Sequence, residues 1–315
     1  MKRWQIVPKT TKKIKLLQFK RVKRKVNGIL ILDKPLGYSS NQALQKIKWL
    51  FRAEKAGHTG TLDPLATGLL PICLGEATKF AQYVTDADKT YIAQIKLGIQ
   101  TTTGDAEGEV IASKPVNITA KEFEQACQQF LGEISQVPPM YSALKHDGKA
   151  LYEYARAGVE IARPARQVTI KNITVDAFSG ADAVISITCS KGTYIRTLAE
   201  DIGKMLDNHA HLTGLRRIQT AGYDIIKAMT IEAVEALAIE ERDTKLLSVD
   251  SAIAVLPQVI IGEDSAFYFK QGQAVWQSGK IPEGELRVYE EKGTFLGLGR
   301  LLDDGKITPK RLVNL

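Results

Sequence analysis

The chain has 315 residues, 44% hydrophobic and 25% charged, an ordinary balance for a soluble globular protein with room for two domains at about 150 residues each. No apolar run approaches the roughly 20 residues needed to cross a bilayer, which excludes a helical membrane protein. The formal net charge of +8 is concentrated at one end: residues 1–25 hold eleven Lys and Arg and no acid, and the remainder carries 32 basic against 35 acidic residues.

That distribution predicts a basic arm over residues 1–26. Such arms attract polyanions, chiefly nucleic acid. A merely solvated extension is the bland alternative. A transit peptide fits poorly, because the arm is rich in Lys and lacks Ser. After the arm, Asn27 to Leu32 reads as a strand and Asp33-Lys34-Pro35-Leu36-Gly37 as a turn. Ser39 or Ser40 is placed to cap a helix running to about Phe51, with Leu44, Ile47 and Phe51 on one face. Glu76 to Val84 is expected to be helical and Thr90 to Leu97 a strand. Thr119-x-x-Glu122 has the capping-box pattern of a helix reaching about Leu131. A short helix is expected near Leu151 to Ala157. Gln167 to Phe178 and Ala183 to Cys189 read as strands, and Lys191-Gly192-Thr193-Tyr194 as a loop before a helix ending near Leu206. From residue 252 the character turns to short β-like runs, Leu286 to Glu290 and Thr294 to Leu302, with Asp303-Asp304-Gly305 as a hairpin turn.

The densest chemical signal is Gly57-His58-Thr59-Gly60-Thr61-Leu62-Asp63-Pro64-Leu65-Ala66-Thr67-Gly68. Locally, Asp63-Pro64 is a good helix start, with Asp as cap and Pro in the first turn. Three glycines within twelve residues instead suggest close backbone approach to another group. Leu62, Leu65, Leu69 and Leu70 make the surroundings apolar. A carboxylate there needs a cation or donors to stay ionised, and once ionised it serves as nucleophile or base. Arg196, beside Tyr194 at a strand end, is a candidate cation. Tyr91 is either a core residue or a ring that stacks on a base. His58 is either a turn residue, a proton carrier, or a group that inserts beside a base. His209-x-His211 is a weak metal pattern without nearby Cys. Cys73, Cys127 and Cys189 are scattered, which excludes a zinc ribbon or disulfide framework and fits a reducing cytoplasm. Neither a phosphate loop nor a dinucleotide fingerprint is present, so no cofactor and no metal is expected.

The Asp63 run, with Gly75-Glu76-Ala77-Thr78-Lys79, Lys89-Thr90-Tyr91, Lys191-Gly192-Thr193-Tyr194-Ile195-Arg196 and Leu215-Arg216-Arg217, resembles the bacterial tRNA pseudouridine-55 synthases, the TruB family, from about Asn27 to the C-terminus. The resemblance implies an α+β fold: a mixed, mainly antiparallel central sheet flanked by helices over residues 27–251, with an RNA-gripping insertion at about 136–167. Residues 252–315 would form a small β-rich, PUA-like RNA-binding domain. It further implies that Asp63 is the nucleophile, that Arg196 is its basic partner, and that Tyr91 packs on the target base as a candidate for removing its C5 proton. His58 would occupy the space vacated by the flipped uridine. Tyr194 and Leu215 would line the uridine pocket. Lys34 would support the catalytic loop built from Gly57, Thr59, Gly60 and Leu62.

The implied reaction isomerises uridine 55 in the T-loop of tRNA. The N1–C1′ bond breaks, the base turns, and C5 joins C1′. No atoms are added and no redox change occurs, so no cofactor is called for. Whether Asp63 attacks C6, traps C1′ or assists removal of the C2′ proton is left open by the sequence. The expected partner is the tRNA T-arm, met by a cytoplasmic monomer without an obligate protein partner or a membrane. Three rivals are a non-catalytic RNA chaperone on the same fold, an enzyme acting with guide RNA, and a metal-dependent hydrolase using Asp63 and His209.

Overall fold

A computed structural model describes residues 22–315, so most of the expected basic arm lies outside the described residues. The end of that arm already belongs to the body. Arg24 donates from Nε to the Phe51 carbonyl (2.9 Å) and pairs with Asp243, and Val26 is buried.

The chain enters the sheet with β1 (Gly28–Lys34), a wholly apolar run apart from its last two residues. Ser39 caps α1 (Ser40–Leu50): its hydroxyl accepts from the Gln42 N–H while the Gln42 side chain accepts from the Ser39 N–H. Next come β2 (Ala56–His58) and β3 (Ala66–Leu74). The expected helix after Gly75 is a 3-10 turn (Gly75–Phe80) followed by α2 (Ala81–Asp86), and β4 (Lys89–Leu97) follows. A hairpin of β5 (Ile99–Thr101) and β6 (Val110–Ser113) leads to α3 (Ala120–Gln128) and β7 (Gly132–Gln136). The Thr119–Glu122 capping box is present at the start of α3. The insertion carries a small hairpin, β8 (Lys145–His146) and β9 (Lys149–Ala150), and α4 (Leu151–Arg156). The catalytic part then closes with β10 (Arg166–Ser179), β11 (Asp182–Cys189), α5 (Ile195–Met205), β12 (Ala210–Thr220) and β13 (Tyr223–Asp224).

The central sheet runs β1-β3-β12-β4-β11-β10-β7, with β2 on β3 and β13 on β12. All its pairings are antiparallel except β3 with β12, where Ala66–Gly68 lie beside Leu215–Arg217. This is the expected α+β architecture. Two local expectations fail. Asp63-Pro64 does not start a helix: Ala66 donates to the Asp63 carbonyl (3.0 Å) in a turn, and the chain then becomes β3, whose residues are nearly all buried. Burial on both faces of a central strand erases the alternation that would have marked it as β. Asp33 and Lys34 also belong to β1 rather than to the turn.

The C-terminal part is a second sheet, ordered β14 (Gln258–Ile261), β16 (Glu285–Glu290), β17 (Phe295–Leu301), β18 (Lys306–Leu312) and β15 (Val275–Trp276), with one helix, α6 (Glu263–Lys270). The hairpin at Asp303–Gly305 forms as expected, Leu302 donating to the Lys306 carbonyl. This sheet packs on the catalytic part through Phe295 and Leu298, which share an apolar cluster with Ile29, Leu69 and Phe80. The Phe80 and Phe295 rings lie 5.8 Å apart, centre to centre.

Candidate active site

Asp63 sits in the link between β2 and β3, held at three points. The Ser40 hydroxyl accepts from the Leu62 N–H (2.7 Å) and donates to the Leu62 carbonyl (2.9 Å), clamping the residue before Asp63 from both sides. The Gly37 N–H bonds the Pro64 carbonyl (2.9 Å), clamping the residue after it. Thr59 is buried and bonded to the Pro71 carbonyl across the sheet. Gly60 is needed for its backbone: φ is +76°, and a Cβ there would stand 3.1 Å from Nη1 of Arg217.

Arg196, in the first turn of α5, points at Asp63. Its Nη2 lies 2.9 Å from Asp63 Oδ2, and its Nη1 lies 3.3 Å from Oδ2 of a second carboxylate, Asp105. The same guanidinium donates to the carbonyls of Thr103 (3.1 Å) and of Tyr141 (2.6 Å) in the insertion. The Arg196 side chain is 7% exposed, whereas that of Asp63 keeps 43%. That remaining surface of Asp63 faces a cavity. Enclosure pushes the Asp63 carboxyl above its usual range, and Arg196 and Lys34 pull it back while Asp105 adds to the rise. Arg196 therefore favours the ionised form of a crowded carboxylate and aims it.

The cavity, about 550 Å³, is walled by Asp63, Tyr91, Tyr194, Arg196 and Leu215. Tyr91 and Arg217 are directly opposed across β4 and β12, so the parallel contact of β3 with β12 brings the Asp63 loop, Leu215 and Tyr91 to one place. Tyr91 is buried, with burial raising its phenol and the neighbouring Arg217 charge opposing the rise. Tyr194 immediately precedes α5 and is fixed through its backbone. Its N–H donates to Oε1 of Gln136 (3.1 Å), and its carbonyl accepts from Nε2 of the same amide (3.3 Å).

Of the residues predicted from sequence, Asp63, Tyr91, Arg196, Tyr194, Leu215, Gly60 and Leu62 come together on the cavity wall. Gly57, His58 and Thr59 stand behind it. The His58 ring is partly buried, with a buried Nδ1 that finds no partner among the described residues. Burial, and then Arg217, lower its pKa, so it is a neutral ring at pH 7. Lys34 is fully buried and donates to the Tyr38 and Pro35 carbonyls, so it braces its own turn. It reaches the catalytic loop indirectly, through that turn's Gly37–Pro64 bond. Burial brings its pKa to about 8 although Asp63 and Glu107 oppose the fall.

Three contributors escaped the sequence reading. Asp105 sits in Thr101-Thr102-Thr103-Gly104-Asp105, where an acid after Thr and Gly was the available hint. Its Oδ1 accepts from Thr103 and from the Glu107 N–H. Gln136 and Ser40 are ordinary polar residues until the fold buries them. The His209-x-His211 pair has a structural use: His211 is buried with Nδ1 3.1 Å from the Ile99 carbonyl. The three cysteines are buried, with thiols pushed to about 12, 12 and 11, which suits packing and not nucleophilic chemistry.

A chain with a carboxylate held by an arginine, next to a buried tyrosine and on a mixed sheet, has relatives among known proteins. The chain matches the family model "TruB family pseudouridylate synthase (N terminal domain)" over residues 48–195. It matches "tRNA pseudouridylate synthase B C-terminal domain" over 196–266 and "Pseudouridine synthase II TruB, C-terminal" over 257–313. A tRNA pseudouridine synthase B of Methylobacillus flagellatus is 58% identical over 297 residues, covering 94% of this chain and 98% of that protein. One of Pseudomonas aeruginosa is 49% identical over 302 residues, covering 95% and 99%. Among solved structures, a Cbf5-Nop10-Gar1 complex contains a chain with a TM-score of 0.69 and 25% identity, covering 91% of this chain and 84% of that one. The fold is that of a pseudouridine synthase, an isomerase. The chain belongs to the TruB family.

Proposed function

We propose that the protein isomerises uridine 55 in the T-loop of tRNA to pseudouridine, with Asp63 as the nucleophile toward a flipped-out base. The observation that carries this reading is the Arg196–Asp63 pair on the wall of a cavity of about 550 Å³ that also presents Tyr91. Tyr91 and Leu215 hold the uracil ring, and Tyr194 closes the side next to Arg196. His58 fills the stack left by the base. Flipping costs a few kcal/mol, which such a filler partly offsets.

The insertion grips the T-arm. Its surface carries Arg156 over Tyr152 (5.3 Å) and Lys149 over Tyr154 (4.9 Å), cations on aromatic faces of the kind that meet phosphate and unstacked bases. The C-terminal sheet acts as a PUA-like RNA-binding domain, and the basic arm adds phosphate contacts. The enzyme works as a cytoplasmic monomer. Among the described residues no helix is long and apolar enough to cross a membrane.

The position is tested by incubating unmodified tRNA with the protein and mapping pseudouridine by carbodiimide-dependent stops of reverse transcription. A new stop confined to the T-loop position supports the reading. A stop elsewhere only, or a requirement for a guide RNA, contradicts it.

A further inference from the structure

Arg217 is among the bulkiest fully buried side chains of the protein, at 1% exposure, and Lys89 is 7% exposed beside it. Among the described residues neither has a carboxylate within 4.0 Å. Arg217 donates from Nε to the Leu69 carbonyl (2.7 Å) and from Nη2 to the Gly60 carbonyl (2.9 Å). Lys89 donates to the carbonyls of Thr85 (2.7 Å) and Ala87. The acids close to Lys89 in sequence are committed elsewhere, Asp86 to Lys191 and Asp88 to Lys171. A Cβ on Gly60 would stand 3.1 Å from Arg217 Nη1 and 3.5 Å from Lys89 Cε, so the two cations converge under the catalytic loop. Both also line the cavity.

Buried cations are normally paired, because an unpaired charge away from water is strongly disfavoured. Two such cations under one cavity, with neutral carbonyls as their hydrogen-bond partners, leave an uncompensated positive field there. Burial is the main cause that lowers the pKa of Lys34, His58 and Lys89, the last to about 8, and the positive charge of Arg217 adds to each fall, with Asp86 and Asp88 opposing it at Lys89. The established reaction provides a matching charge for a short time. When N1–C1′ breaks heterolytically, the electron pair stays on N1 and the detached uracil is an anion. C5 then attacks C1′, the C5 proton leaves, and N1 takes up a proton, which restores neutrality.

We propose that Arg217 and Lys89 form a cationic floor that stabilises the uracil ring as its anion while it is detached and turning. This rests on the pseudouridylation reading above. It concerns the leaving base, whichever atom Asp63 attacks. Preorganised charge in a site that excludes water acts on developing charge without reorganisation, which is where the largest catalytic gains arise.

The test compares tRNA carrying uridine or 5-fluorouridine at the target position. Fluorine withdraws electron density and makes the detached base a more stable anion, so it replaces part of the floor's work. Single-turnover loss of the N-glycosidic nucleoside is followed in digests for wild type, Lys89→Gln, Lys89→Arg and Arg217→Lys. Gln can still donate to the Thr85 and Ala87 carbonyls without charge. Lys89→Gln is expected to slow uridine about 100-fold and 5-fluorouridine about tenfold, with Lys89→Arg recovering most of the loss. Equal slowing of both substrates by Lys89→Gln, or no recovery by Lys89→Arg, overturns the proposal. Arg217→Lys, which keeps the charge, should leave the ratio of the two rates near wild type, and a ratio shifted as far as in Lys89→Gln counts against a charge effect. If wild type fails on uridine itself, the underlying reading falls instead.

Discussion

Arg196 joins two carboxylates with one guanidinium, Asp63 at 2.9 Å and Asp105 at 3.3 Å. Asp63 faces the cavity and Asp105 is sealed behind the arginine. The rear carboxylate thus orients the arginine, and the arginine orients Asp63.

Arg196→Lys keeps a charge but loses the fork that reaches both acids and two carbonyls. Turnover is expected to fall by about 10²–10³, with tRNA affinity changed by no more than a few-fold. Asp105→Asn should lower turnover less, about tenfold to 100-fold, since it loosens the arginine without removing it. Single-turnover rates with filter binding check both. A parallel loss of rate and affinity in either variant would place Arg196 in RNA binding instead.

Ser40→Ala leaves the Leu62 N–H and carbonyl without their buried partner. The expected loss of stability is about 1–3 kcal/mol. Because the lost contacts adjoin Asp63, the rate should fall at temperatures where the protein is still folded. Thermal unfolding and rates measured on the same preparation separate the two effects.

The pH dependence of stability carries a sign. Asp63 has a folded-state pKa above its unfolded value, so its ionised form disfavours folding. The penalty is absent below the unfolded pKa and fully present above the folded one. Asp63→Asn is therefore expected to unfold at a temperature no lower than wild type at pH 7, and that advantage should shrink as the pH falls toward 4. Lys34 and Lys89 act in the opposite range. Both are lowered to about 8, so the burden of burying their charge is fully present below pH 8 and is relieved as the pH rises toward the unfolded value of about 10.4. Thermal scans across pH 4 to 10 test both signs.

Removing residues 1–21, and keeping the packed Arg24 and Val26, should shallow the salt dependence of tRNA binding. Each lost phosphate contact removes about 0.7–0.9 from the slope of log K against log salt. An unchanged slope would mean that the arm touches no phosphate.

What could be read in the sequence follows physical lines. Capping signals are local, so the starts of α1 and α3 are legible at Ser39 and Thr119, whereas α3 ends at Gln128, short of the expected Leu131. The exposed hairpin turn at Asp303–Gly305 is equally legible. The strands β3 and β12 were not. β3 is buried on both faces, and β12 has register shifts at Leu212/Gly214 and Arg217/Gln219 and carries Arg216 and Arg217 in its middle. Asp63, Arg196 and Tyr91 stood out as residue types in a motif. Asp105, Gln136 and Ser40 act only through contacts between distant segments, and their value lies in burial that no local pattern records. Arg217 was visible inside a motif, yet its lack of an acid partner could be known only from three dimensions.

Whether Asp63 drives isomerisation of a uridine in tRNA is decided by release of tritium from tRNA labelled at uridine C5, since forming the C5–C1′ bond expels that hydrogen. Wild type should release one tritium per tRNA from the T-loop position, and Asp63→Ala should release none while still binding tRNA. Release by Asp63→Ala at a rate near wild type, or no release by wild type, would contradict the account.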